Sequence, residues 1–494
     1  MTNTAPVELP IVDHSRRNQR VIWLLLAAAF VVILNETIMS VAIPRLMTDL
    51  SIDARAAQWL TTAFMLTMAV VIPITGFLLQ RYNTRPIFIA AMTLFSAGTL
   101  LAAVSPGFEV LLVARVVQAS GTAIMMPLLM TTIMSLVPPA TRGKTMGNVS
   151  IVMSVAPALG PTISGLILST LTWRWLFWLV LPIALVMLVI GIRRVENVSE
   201  PRPVPIDVVS VILSAFAFGG LVYGLSLVGA SAQQKGDAIA VSETQMWVSL
   251  AVGALALTIF IWRQLLLQRQ DRALLDLRTF RAPIFTASVS ILTVSMVALF
   301  GTIVVFPLYL QRVLGLTELE SGLMIMPGAL LMGLLAPFIG RLYDRIGPKP
   351  LVIPGTMIVS GVLWGFTTVG TTTSVWFVLA LQITLNLGLG MLFTPLFTAG
   401  LGAVRPSLYS HASAVVGTIQ QVAGAAGIAL LVTVMSTQAA ALEATGVSVV
   451  EAEAAGTRAA FLVGAIISLA GVALSFFIKK PADVIAEAPV PAAH

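Results

Sequence analysis

The chain has 494 residues, 58% of them hydrophobic and only 10% charged, with a mean hydropathy of +0.98 and a formal net charge of +7. Soluble domains carry about 25% charged residues, so the composition excludes a soluble protein and points to one that crosses a membrane many times. It contains no cysteine, which excludes disulfides and thiolate metal sites, and His14, His411 and His494 are too scattered for a metal cluster.

Segment 1–20 is expected to be a cytoplasmic N-terminus. Its Arg16, Arg17 and Arg20 lead into an apolar run too long for a signal peptide, and no small-residue cleavage site follows. A bilayer core needs about 20 apolar residues per helix, and on that basis fourteen spans are predicted. Six run over 21–43, 57–79, 86–104, 108–130, 145–169 and 174–192. Two more occupy 208–228 and 246–264, and the last six 285–309, 320–340, 351–369, 375–400, 413–435 and 459–478. The connector Leu274–Arg281 mixes apolar and basic residues as a membrane-surface helix does. The Ala- and Pro-rich tail 479–494 is expected to be a disordered cytoplasmic end.

With the N-terminus inside, 21 of the 28 Lys and Arg fall on inner segments, six on outer ones, and Arg115 lies within a span. The positive-inside rule then places both ends in the cytoplasm, and an even number of spans requires the same. The positive charge is thereby explained without a nucleic-acid partner. An internal repeat supports two halves. Gly76-Phe-Leu-Leu-Gln-Arg81-Tyr-Asn-Thr-Arg85-Pro86 closes the second span, and Gly340-Arg-Leu-Tyr-Asp344-Arg345-Ile-Gly347-Pro-Lys349-Pro350 closes the tenth. The predicted architecture is an all-α membrane protein: a six-helix bundle over 21–192, a linker over 193–284 with two extra central helices, and a second six-helix bundle over 285–478. Parallel repeats around a midplane site mark a large class of secondary transporters.

These loops resemble the major facilitator superfamily pattern Gly-x-Leu-x-Asp-Arg-x-Gly-Arg-Lys, closely in the second copy and with Gln80 and Asn83 as departures in the first. Span four, Arg115-Val-Val-Gln118-Ala-Ser-Gly121, resembles that family's Arg-x-x-Gln-Gly motif, with Ala119 in place of Gly. Span five, with Pro157, Gly160, Pro161 and Gly165, is similar to the antiporter motif Gly-Pro-x-x-Gly-Gly, Ser164 replacing one Gly. Trp173-Arg174-Trp175-Leu-Phe177, Leu181-Pro182 and the first-span stretch Leu34-Asn35-Glu36-Thr37-Ile38 resemble the fourteen-span drug:proton antiporters, where the acid usually sits at the position of Asn35. The resemblance implies multidrug efflux driven by a proton gradient, with no bound cofactor and no catalysis. It also implies that Gly76, Arg81, Arg85, Gly340, Asp344, Arg345 and Gly347 form cytoplasmic gating loops and that the span-five motif seals the pathway.

The residues themselves single out Glu36, the one acidic side chain well inside a predicted span. Charge at that depth is costly and marks ion paths and proton relays. At 1.5 Å rise per residue, Glu36 and Arg115 both fall about 6 Å to the outer side of the midplane, where they could pair. A proton carrier needs the attraction of the arginine and the cost of burial to be nearly balanced. Glu36 and Arg115 are therefore the proton-coupling candidates, with Asn35, Ser40 and Gln118 as candidate cavity lining. Asp207, Glu318 and Glu320, at span edges, are possible second acidic sites. Arg142-Gly-Lys144-Thr lacks the upstream glycine of a phosphate-binding loop, which excludes ATP as the energy source. The expectation is a monomeric, multi-pass plasma-membrane antiporter, bacterial in type, exporting lipophilic, amphipathic or cationic small molecules in exchange for protons. The competing reading keeps the fold and makes the cargo a metabolite such as an amino acid or a siderophore.

Overall fold

The computed structural model describes residues 15–197, 201, 205–233 and 243–481. The expectations for 1–14, for the loop 234–242 and for the tail beyond 481 lie outside the described residues.

In hydrocarbon every backbone donor and acceptor must be satisfied within the segment, which leaves helices as the solution for long apolar runs. The first six are α1 (Ser15–Leu50), α2 (Ala54–Arg81), α3 (Thr84–Ala103), α4 (Phe108–Leu136), α5 (Arg142–Thr170) and α6 (Arg174–Arg194). The central pair is α7 (Val208–Ser214), joined through a π-helical turn at 215–219 to α8 (Gly220–Gln233), and then α9 (Glu243–Leu267). The last six are α10 (Pro283–Arg312), α11 (Glu318–Ile346), α12 (Lys349–Phe366), α13 (Val375–Gly402), α14 (Tyr409–Glu443) and α15 (Val449–Ser475). Counting α7 and α8 as one, fourteen helices are long and apolar enough to cross a membrane, as the sequence predicts. No strand occurs among the described residues.

Several boundaries differ from expectation: α1 begins at Ser15 rather than 21, α4 runs to Leu136 rather than 130, α14 to Glu443 rather than 435, and α15 begins at Val449 rather than 459. Pro44 does not end the first helix, which continues to Leu50. The repeat segments are not loops: Gly76–Arg81 is the last part of α2 and Gly340–Ile346 the last part of α11. The connector 274–281 is also not a surface helix. Only Leu277–Arg281 forms a short 3₁₀ segment, while Leu274, Leu275 and Asp276 are buried.

The two bundles share one packing plan. In the first, α1 lies against α5 and α6, and α3 against α4 and α6, with α2 on α4. In the second, α10 lies against α14 and α15, and α12 against α13 and α15, with α11 on α13. The halves meet along two seams related by the same correspondence, α5 on α11 and α2 on α14. The central pair lies over the α2–α14 seam. Ring stacking joins Trp59 of α2 to Tyr223 of α8 (5.5 Å), and Gly229 at the end of α8 approaches Ala429 of α14.

Both described ends of the chain lie on one face, called here the terminal face: Arg17 pairs with Glu196 at 3.6 Å, and Pro481 reaches Gly402 beside Arg142. Small residues draw the halves together on this side, as they do generally between membrane helices. A methyl group on Gly340 would lie 2.1 Å from Gly143 O, and one on Gly147 2.6 Å from Ala336 O. One on Gly76 would lie 2.9 Å from Ala414 Cβ.

Candidate functional site

The stretch Leu34–Pro44 lies on α1 where that helix crosses α5. Gly160 makes the crossing possible: a Cβ there would sit 2.2 Å from Thr37 Oγ1. Thr37 returns its hydroxyl to Leu34 O at 2.9 Å, so it is a packing residue. Its neighbour Glu36 is partly exposed. Asn35 is buried, and its Oδ1 has no hydrogen-bond partner. Ser40 lies outside the described side chains.

Arg115 is fully buried and held from three sides. Its guanidinium stacks on the Phe64 ring at 4.0 Å, its Nε donates to Leu60 O at 3.4 Å, and its Nη1 donates to Gln118 Oε1 at 2.6 Å. The chain continues, with Gln118 Nε2 donating to Thr99 Oγ1 at 2.8 Å and Thr99 donating to Phe95 O at 2.7 Å. Arg115 and Glu36 feel each other's charge but form no ion pair within 4 Å. The direct pairing allowed by their depth is therefore not made in this structure. Gln118, expected on the cavity wall, is instead fully buried between α3 and α4, where it orients the guanidinium. Its position three residues after Arg115, on the same helix face, carried that signal. Leu60 and Phe64, which reach Arg115, and Thr99, which reaches Gln118, had no such signal, because they come from other helices.

The span-five motif divides into two parts. Gly160 is buried against α1, and Pro157 is partly buried beside it. Pro161 and Gly165 are exposed, and nothing lies within 4 Å of where a Gly165 side chain would begin. The terminal half of α5 is closed against the second bundle: Ser150 and Thr394 share a 2.6 Å hydrogen bond, and Gly333 packs on Ser154 and Val155.

The repeat motifs build two unlike latches on the terminal face. The Asp344 carboxylate accepts from the backbone N–H groups of Gly143 (2.7 Å) and Lys144 (2.8 Å), at the start of α5. Anions are stabilised there by unpaired N–H groups and the helix dipole. Gly340 gives α5 room, and Gly347 ends α11 at φ +82°, a conformation that favours glycine. In the first copy, Gln80 donates to Ser407 O at 3.3 Å, a neutral bond where the second copy has an ionic one. Arg85 donates to Ile192 O at 2.7 Å, tying α3 to the end of α6 within its own bundle. Arg81 lies over the Tyr82 ring at 5.7 Å, and Arg345 is exposed. Arg142 adds a further cross-bundle contact, donating to Tyr409 Oη at 3.3 Å.

A model of the Major Facilitator Superfamily matches residues 25–428. The chain belongs to that family. It is 42% identical to the uncharacterised MFS-type transporter YcnB of Bacillus subtilis, over 93% of this chain and 95% of that one. It is 40% identical to the lincomycin resistance protein LmrB of Listeria monocytogenes, over 92% and 95%. A more distant relative is the multidrug resistance protein B homolog of Mycobacterium tuberculosis, 27% identical over 82% and 74%. Among solved structures, the human organic anion transporter MFSD10 superposes with a TM-score of 0.63 over 93% of this chain and 99% of that one; at 13% identity it supports the fold alone. The chain is thus a transporter of the superfamily: the Arg115 network and the α1–α5 crossing lie within its first bundle, and the Asp344, Gln80 and Arg142 contacts join the two bundles on the terminal face.

The edge carboxylates are engaged elsewhere. Asp207 accepts two hydrogen bonds from Arg263, both at 2.8 Å, and one from Ser210. The Arg263 bonds, with help from Ser210, hold its carboxyl down at about 2. Glu320 closes a capping box with Thr317 at the start of α11, and the Glu318 side chain lies outside the described ones. A buried polar chain missed by the sequence reading then runs under the central pair: Ser210 accepts from Gln264 (2.8 Å), whose Oε1 accepts from Leu274 N (2.7 Å). Asp276 and Arg278 pair within the same connector, which raises the guanidinium pKa above its ordinary value.

Proposed function

We propose that the protein is a proton-coupled antiporter that exports lipophilic or cationic compounds across the plasma membrane, with its terminal face and both chain ends in the cytoplasm. The observation that carries this reading is Glu36, a partly exposed carboxylate within a membrane span, set beside a guanidinium that other residues hold in place. A carboxylate bonded to that guanidinium would be a static ion pair. One that only feels the charge keeps the freedom to gain and lose a proton. The relatives named for lincomycin and multidrug resistance support an antibiotic-like cargo.

With the terminal face inside, the structure corresponds to a state closed toward the cytoplasm. Glu36 takes a proton from outside in this state as cargo leaves. The bundles then rock about the α5–α11 and α2–α14 seams, the latches on the terminal face part, and Glu36 releases its proton inward as new cargo binds. Arg115 stays charged throughout and supplies a fixed positive field beside Glu36. Asp207, held by Arg263, is not a second carrier. The cycle needs protons, cargo and the bilayer, with no bound cofactor, and a single chain suffices.

The test uses inverted membrane vesicles with an imposed proton gradient and lipophilic cations as cargo. Wild type is expected to exchange protons for cargo, and Glu36→Gln to abolish cargo-dependent proton movement. Normal coupling in Glu36→Gln would remove Glu36 from the mechanism.

A further inference from the structure

On the terminal face, at the boundary of the first bundle with the bilayer, the structure holds a cavity of about 500 Å3. Its lining is Gln19, Arg20, Trp23 and Leu24 of α1 and Arg194 of α6. Nothing in the transport cycle above uses these residues. Arg20 and Arg194 form no ion pair within 4 Å with any described carboxylate; the nearby Glu196 is taken by Arg17. At the end of α6, Arg85 covers Ile192 O and Val195 N covers Gly191 O. The upper wall is of a different kind. Trp23 is 60% exposed and Leu24 partly buried, one turn into the apolar part of α1.

Two unpaired guanidiniums on one cavity suit the oxygens of a phosphate, which a planar fork binds in bidentate fashion. An indole at the edge of the hydrocarbon marks the level of the headgroups. The space greatly exceeds an inorganic anion and continues onto an apolar wall. We propose that this cavity binds the headgroup of an anionic phospholipid, with the phosphate between Arg20 and Arg194 and the glycerol and first acyl carbons along Trp23 and Leu24. Basic pockets between membrane helices recognise lipid headgroups in this way. The bound lipid would bridge the start of α1 to the end of α6.

Native mass spectrometry of the full chain, with phosphatidylglycerol or phosphatidylcholine added, tests the assignment. Wild type is expected to retain phosphatidylglycerol in several-fold preference. The double variant Arg20→Gln/Arg194→Gln is expected to lose that preference, while Arg281→Gln/Arg341→Gln, which removes equal charge elsewhere, keeps it. Equal retention by wild type and the Arg20/Arg194 variant overturns the proposal. So does displacement of the lipid by millimolar inorganic phosphate, which would assign the cavity to a free anion. Should the double exchange impair folding, a second measurement stands on its own. Phosphatidylglycerol brominated near the top of its acyl chains should quench the emission that separates wild type from Trp23→Phe, and no quenching of that difference is equally fatal.

Discussion

Replacing Asp344 by asparagine should loosen the terminal face selectively. The carboxylate accepts from two backbone N–H groups of α5, at 2.7 and 2.8 Å. A hydrogen bond to a charged group contributes about 1.5–3 kcal/mol against about 0.5–1.5 for a neutral one. A charge at a helix N-terminus adds about 0.3–1 kcal/mol. Asparagine keeps one acceptor and loses the charge. Allowing for the partial exposure of Asp344, the net loss is about 2 kcal/mol, which shifts the ratio of closed to open states roughly thirty-fold. The chain contains no cysteine, so spin labels can be placed through Ser135→Cys and Arg405→Cys, both exposed and on opposite bundles at this face. Double electron–electron resonance should show a longer-distance population growing in Asp344→Asn. Gln80→Leu removes only a neutral 3.3 Å bond and should move the distribution much less. An unchanged distribution in Asp344→Asn would show that this carboxylate does not hold the face shut.

Glycine exchanges should separate the two ends of α5. Gly143→Ala places a methyl 2.4 Å from Gly340 O and should cost about 1–3 kcal/mol by overpacking, seen as lost transport and a lower melting temperature, whereas Gly165→Ala meets nothing within 4 Å and should leave both unchanged; equal sensitivity at the two sites would refute the packing account. The Asp207–Arg263 pair predicts a pH dependence. Its carboxyl is held at about 2, below the unfolded value of about 3.9, so its stabilisation is complete above pH 4 and is lost as pH falls toward 2. The gap in melting temperature between wild type and Asp207→Asn should therefore narrow between pH 5 and pH 2.5, and a gap independent of pH would contradict the pairing.

The spans were legible because each is a local property: an apolar run long enough to cross a bilayer becomes a helix whatever it packs against. Pro44 misled, since a proline inside a membrane helix is tolerated where neighbours satisfy the freed carbonyl. The glycine of Arg142-Gly-Lys144-Thr was visible, and without a phosphate loop its purpose was not. The purpose lies two hundred residues away, in the carboxylate of Asp344 and the backbone of Gly340. Glu36 and Arg115 stood out as charges in spans, but whether they pair is decided by Leu60, Phe64 and Gln118, which compete for the guanidinium from α2 and α4. The chain from Ser210 through Gln264 to Leu274 was hidden for the same reason.

The placement of the central pair bears on how cargo dissolved in the bilayer could enter. Two bundles that meet along two seams leave two lateral clefts facing the lipid. Here α8 packs on α14 and touches α2, and the π-helical turn meets α2 as well, with Gly219 against Val70. That cleft is shuttered by protein. On the proposed reading, cargo approaching the α2–α14 seam from the lipid would meet α8 and the π-helical turn first. The α5–α11 seam is instead closed by the contacts of α5 and α11 themselves, so the two sides of the molecule are not equivalent toward the bilayer.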